Sequence, residues 1–228
     1  MPIKAILFDF DGTIADTHDA FLEIVNRLAS EFGYPTVDHQ EVERLKQLSS
    51  ADVIKYAKIS PFKIPFILKR LKKELGKQIA TLKPYLEIKE VLVFLKEQGY
   101  TLGIVTSNHQ ENVLIFLQNN DLADLFNFVC AGTTLFGKNR IINRVLKENH
   151  WNAEEVIYIG DETRDISAAK KSQLTMISVG WGFSSPTILQ EYQPDFLVYH
   201  PRELMTAIAT VDGEFGYKKK RSDQISHG

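Results

Sequence analysis

Two short acidic stretches each follow an apolar run: Asp9-Phe10-Asp11-Gly12-Thr13 comes after residues 5–8, and Gly160-Asp161-Glu162-Thr163-Arg164-Asp165 after residues 156–159. In an extended segment, residues two apart point to the same side, so Asp9 and Asp11 begin close together. Crowded negative charges require a cation or a shared proton, and a hard cation held through oxygen is the simplest compensation. The competing readings are ordinary: Asp11-Gly12 as a turn, Asp161 as a helix cap. A third stretch, Thr106-Ser107-Asn108, follows the apolar segment 103–105 and precedes a helical pattern that begins at Glu111. These residues are good helix caps and equally good ligands for an anion, because a helix start directs free amide groups outward. Lys138, behind Leu135-Phe136-Gly137, reads alone as a solvated lysine.

Taken together, carboxylates follow two candidate strands, a hydroxyl follows another, and a lysine lies between them in sequence. Open α/β sheets bind ligands outside the carboxyl ends of their strands, so the elements decide whether these groups meet. Apolar runs predict strands at 5–10, 101–106, 126–130, 156–159, 175–179 and 196–198. Helical spacing predicts helices over 17–32, 42–48, 51–57, 64–75, 87–98, 111–118, 139–148 and 164–171. From residue 84 onward, strands and helices alternate, which implies a parallel sheet covered on both faces. The four helices that follow the first strand are uninterrupted by any strand. The expected fold is therefore α/β: a Rossmann-like three-layer core over 1–15 and 84–212, with a small all-α cap domain over 16–83 inserted after the first strand. Residues 213–228, with the basic run 218–221 and almost no apolar content, are expected to form a disordered basic tail.

Composition narrows the function. With 27 basic and 29 acidic residues the net charge of -2 excludes a nucleic-acid binder that relies on a basic face. The six histidines fall singly, without the close spacing of a zinc site. Cys130, the one cysteine, has no disulfide partner and is expected as a buried thiol. The apolar run at 5–8 is too short for a membrane span or a signal peptide, so a cytoplasmic protein without a membrane partner is expected.

In these four stretches the chain resembles the haloacid dehalogenase superfamily, whose motifs match 9–13, Thr106 or Ser107, Lys138, and 160–165. It is most similar to phosphoglycolate-phosphatase-like members with a helical cap. The resemblance implies that Asp9 attacks phosphorus to form an aspartyl-phosphate and that Asp11 serves as acid and then base. It implies a Mg2+ ion held by the Asp9 carboxylate, the Asp11 backbone carbonyl and Asp161. It also implies phosphoryl binding by Thr106 with Ser107 and Asn108, beside Gly12 and Thr13, and charge compensation by Lys138. Asp165 would orient Lys138 or a metal-bound water, with Glu162 behind it. The implied activity is hydrolysis of a small phosphorylated metabolite by a monomer or homodimer.

Alternatives stay open. A sugar phosphomutase would use the same Asp9 and Asp11. In a phospho-acceptor signalling module the acceptor aspartate ends an internal strand, where this chain has Thr106; an inactive scaffold would not need the full set. Two departures leave the substrate open: Asn139 follows Lys138 where the family has proline, and the cap carries no recognisable specificity motif. Lys46, Gln47, Ser49 and Ser50 are placed either to reach a leaving group or simply to form a polar loop.

Overall fold

The structure, a computed structural model, describes residues 2–57, 59–60, 62–131 and 137–213. The expected tail, apart from Gly213, lies outside the described residues, as do Leu135 and Phe136. The strands are β1 (Ala5–Phe8), β2 (Thr101–Val105), β3 (Phe128–Cys130), β4 (Val156–Gly160), β5 (Thr175–Val179) and β6 (Phe196–Val198). They form one six-stranded sheet in the order β3-β2-β1-β4-β5-β6, and every pairing is parallel. Strand order thus runs outward from β1 in both directions, which is the switch point at which such sheets form a ligand crevice. Phe8 is level with Ile104 on one side and Ile159 on the other. The residues just beyond β1, β2 and β4 therefore emerge side by side.

Alternation along β1 explains the three layers. Ile6 and Phe8 join a core with α5 (Ile88–Glu97), α6 (Gln110–Asn119) and α10 (Glu203–Val211). Ala5 and Leu7 join another with α7 (Lys138–Glu148), α8 (Thr163–Lys171) and α9 (Pro186–Glu191). Period-two side chains buried on both faces leave no polar position in the strand, hence the continuous apolar run.

Between β1 and α5 lie α1 (His18–Phe32), α2 (His39–Leu45), α3 (Ser50–Tyr56) and α4 (Ile64–Gln78). The long pair α1 and α4 brings Ile24 and Leu28 into the same core as Leu71 and Leu75. Buried Glu74 of α4 accepts hydrogen bonds from Arg27 of α1 and from Arg70 and Lys77 of its own helix. Gly33 ends α1 at φ 75°, its N–H and that of Tyr34 both reaching the Ala29 carbonyl. The chain leaves and returns by adjacent paths: Asp16 N–H donates to the Lys83 carbonyl and Tyr85 N–H to that of Ile14, both at 3.0 Å.

Several expectations change. β1 stops at Phe8 rather than residue 10, because the Phe10 carbonyl turns to accept the N–H groups of Ile14 and Ala15. β3 begins at Phe128, after a 3-10 turn at Ala123–Leu125. Cys130 is not buried but half-buried, since β3 is an edge strand with all three residues partly exposed. Helices α9 and α10 were not anticipated; Ser185 caps α9 by accepting from Ile188 N–H, with Pro186 at its first position. Among the described residues no helix is long and apolar enough to cross a membrane.

Candidate active site

Asp9, the first residue past β1, is 1% exposed and keeps the ladder through its N–H, which donates to the Ile159 carbonyl at 2.8 Å. Its Oδ1 accepts from Phe10 N–H at 2.8 Å, and its Oδ2 lies 2.5 Å from Lys138 Nζ. Among the described residues the Lys138 ammonium is the group that compensates this buried Oδ2. Lys138, the first residue of α7, is 2% exposed and also lies 2.6 Å from Asp165 Oδ1. Burial pulls its ammonium down, but the carboxylates of Asp165 and Asp9 outweigh that and hold it above its usual range.

Asp161 stands one residue beyond β4 and is fully buried. Thr13 Oγ1 donates to its Oδ1 and Phe183 N–H to its Oδ2, each at 2.8 Å. The carboxylates of Asp9, Asp161 and Asp165 each offer an oxygen within 4.8 Å of the others. Burial first, and then the neighbouring carboxylates of Glu162, Asp9 and Asp165, pushes the Asp161 pKa well above the usual range. Asp9 is pushed up to about 7 by burial, although Lys138 pulls it back. Lys138 thus pairs with two of three buried carboxylates, and each Asp161 oxygen retains lone pairs beyond its single donor. An all-oxygen set of three buried carboxylates fits a hard divalent cation.

Asp11 is placed differently from its expected partner. The buried cluster does not include its carboxylate, whose two oxygens both take the Asn108 amide N–H group, at 3.1 and 3.0 Å. Burial raises its pKa to about 6, with the Asn108 hydrogen bond the strongest influence in the other direction. Thr106 is fully buried, and its Oγ1 accepts from Asn108 N–H at 3.0 Å. Ser107 and Asn108 line the cavity that Asp11 also faces. Glu162 is partly buried and pairs with Arg164, and its Oε2 accepts from Ser50 Oγ at 3.1 Å, tying α3 to the β4 end of the sheet. Lys46 and Gln47 bind the other side of the same seam: the Lys46 carbonyl accepts from Ser185 N–H, and Gln47 Oε1 from Ser185 Oγ. Ser49 spends its hydroxyl on capping α3.

Glycines shape the pocket around Asp161. A Cβ at Gly12, which sits at φ 76°, or at Gly182 would come within 2.3 Å of Asp161 Oδ2. Gly182→Ala, which has no φ penalty of its own, is expected to cost about 1–3 kcal/mol by displacing a fully buried side chain. Urea denaturation measures this; an unchanged midpoint would mean that the 181–183 segment moves aside freely.

Three further residues shape the site. Asn112, 8% exposed on α6, donates from Nδ2 to Asn108 Oδ1 at 2.9 Å and to the Lys72 carbonyl of α4 at 3.0 Å. It fixes which end of Asn108 meets Asp11, because His109 N–H also donates to that Oδ1. Arg164 lies beside the cluster, and among the described residues its buried Nη1 has no hydrogen-bond acceptor. The third is Gly182, which like Phe183 lies in no acidic stretch. Asn112 could have been suspected as a polar residue on the apolar side of α6, and Arg164 stands within the stretch 160–165.

Known proteins resemble this chain along most of its length. The chain is 34% identical over 206 residues to the phosphoglycolate phosphatase of Synechococcus elongatus, covering 90% of this chain and 97% of that one. It is 26% identical to the N-acetylmuramic acid 6-phosphate phosphatase of Pseudomonas aeruginosa, covering 91% and 96%. The crystal structure of a predicted phosphatase from Clostridium acetobutylicum superposes with a TM-score of 0.79 at 23% identity, covering 92% of this chain and all of that one. The sequence model of the haloacid dehalogenase-like hydrolases matches residues 6–179, a span that begins within β1 and runs through β4 to the end of β5, and so takes in all four stretches that meet at the crevice. The chain belongs to the haloacid dehalogenase-like hydrolase family.

Proposed function

We propose that this protein is a magnesium-dependent phosphatase that hydrolyses a small phosphomonoester through an aspartyl-phosphate on Asp9. The observation that carries the reading is the buried cluster of Asp9, Asp161 and Asp165, two of which pair with Lys138, close in sequence to Asp11 and Glu162, which line a cavity. Phosphoryl transfer calls mainly for alignment and for neutralisation of charge on the phosphoryl oxygens. Asp9 supplies the nucleophilic oxygen; Lys138 offsets its charge and that of the incoming group. Thr106, with the backbone of Ser107 and Asn108 beside Gly12 and Thr13, holds the phosphoryl oxygens. Magnesium would be held by Asp9, Asp161 and the Asp11 backbone carbonyl, next to Asp165, and would supply positive charge to the phosphoryl oxygens. The helical region between β1 and β2 acts as a cap that keeps bulk water away during the first displacement.

Asp11 is the group that moves protons. With a pKa near 6 it is protonated in a useful fraction of molecules near neutrality, gives its proton to the departing alcohol, and then takes one from water. Because the Asn108 amide stabilises the ionised form, Asn108→Ala is expected to raise the Asp11 pKa. The alkaline limb of kcat, which reports the required proton, should move to higher pH. An unshifted profile would show that the Asn108 contact does not govern the acid.

Phosphoglycolate is the substrate named for the Synechococcus relative and N-acetylmuramic acid 6-phosphate for the Pseudomonas one, so both belong among the compounds to be tried. Release of inorganic phosphate from a panel of phosphorylated metabolites, with and without magnesium, tests the reading. Isomer formation from a hexose phosphate without net phosphate release would replace it with the phosphomutase alternative.

A further inference from the structure

A cavity of about 640 Å³ runs from the site into the helical region. Its mouth is polar, set by Asp11, Ser107, Asn108, Lys72, Glu162 and Arg164. Beyond the mouth its walls are apolar: Val25 of α1, Val42 of α2, Val53 and Ile54 of α3, and Leu68 and Leu71 of α4. Protein interiors close-pack, and apolar helix faces normally meet side chains of a neighbour. Here α3 has no fully buried residue and α2 only Val42, so their apolar faces look onto the cavity instead of a packed partner. The volume falls within the range of small-molecule pockets, which combine apolar walls with a few convergent polar groups.

A two-carbon hydroxy acid fills a small part of this space, and its carboxylate gains nothing from apolar walls. We propose that the cavity holds an apolar leaving group, so that phosphomonoesters of aryl or medium-chain alkyl alcohols are turned over better than those of short hydroxy acids. This rests on the phosphatase reading above and names the substrate class for it. Contacts remote from the reacting centre stabilise the transition state only when the substrate reaches them, and Asp11, Ser107 and Asn108 at the mouth are where the phosphoryl end would sit.

The test is a series of n-alkyl phosphates from ethyl to octyl, with phosphoglycolate alongside and magnesium present. For each methylene that enters the cavity, kcat/KM should rise about fourfold. A flat series, or phosphoglycolate outperforming every longer ester, overturns the proposal. The matching n-alkylphosphonates, which cannot be hydrolysed, read the pocket by calorimetry without turnover, and their Kd should tighten along the chain by a similar factor. If the phosphonates tighten while no ester is hydrolysed, the pocket stands and the phosphatase reading falls. Ile54→Trp, which fills the cavity from α3, should lower the octyl-to-ethyl ratio at least tenfold; an unchanged ratio would place the alkyl chain elsewhere.

Discussion

Asp9→Asn is expected to reduce magnesium-dependent phosphate release from an aryl phosphate by about 10⁴-fold or more, the scale seen when a nucleophile is removed, while the fold survives. The two halves of that expectation come from different contacts. Asparagine keeps an oxygen that can accept from Phe10 N–H, which Asp9 does now at 2.8 Å. Lys138 keeps Asp165 at 2.6 Å. Burial disfavours the Asp9 charge, so the neutral amide removes a cost as well as a partner. An amide oxygen, however, is a poor nucleophile toward phosphorus and cannot form the acyl-phosphate. Phosphate release and a urea denaturation curve on the same preparation decide it. Retained turnover in a folded Asp9→Asn protein would remove Asp9 from the mechanism.

Much of the frame was legible because a parallel strand buried on both faces has to be apolar along its whole length. Ala5–Phe8 and Val156–Gly160 are such strands, and the groups that follow them had to emerge at one edge of the sheet once the register was set. Strand ends were less legible. The reading extended β1 to residue 10, yet where a ladder stops depends on partners, here the turn that takes the Phe10 carbonyl. Lys138 shows the same limit: in sequence it looks like a solvated lysine, and only the two carboxylates brought from residues 9 and 165 make it a buried one.

What could not be read depends on contacts far apart along the chain. Asn112 matters because Asn108 is four residues before it and the Lys72 carbonyl forty residues before it. Gly182 matters because the Asp161 carboxylate fills the place of its missing side chain. Helix α10 was a different kind of miss, since Leu204, Ala207 and Ile208 follow the helical rule and bury one face against the sheet. Extended geometry says nothing of where the Asp11 carboxylate goes once the strand has ended. Past Phe8 the chain turns, with Gly12 at φ 76°, and Asp11 goes to Asn108 and the cavity.

Lys138→Met should be the most destabilising change at the site. It removes the ammonium from between Asp9 Oδ2 and Asp165 Oδ1, all of them 2% exposed or less, and puts an apolar chain of similar length in its place. Removing one partner of a buried ion pair costs about 3–5 kcal/mol, or roughly 6–20 °C in Tm for a chain of this size. The pH dependence separates this cause from a simple packing defect. Asp9 already sits at about 7, above its unfolded value, mainly because it is buried. A carboxylate raised in the folded state is at no disadvantage below its unfolded pKa, and it loses stability as pH climbs from there through the folded value. Without Lys138 the folded Asp9 value rises further, so the deficit of the variant should be small near pH 4 and grow through pH 7 and beyond. Added magnesium should recover part of it, because a ligand that binds only the folded protein stabilises by mass action. Urea midpoints at pH 5 and pH 8, with and without magnesium, give the answer. An equal deficit at both pH values would mean that the lysine acts through packing alone, and that the three carboxylates find their compensation in some other group.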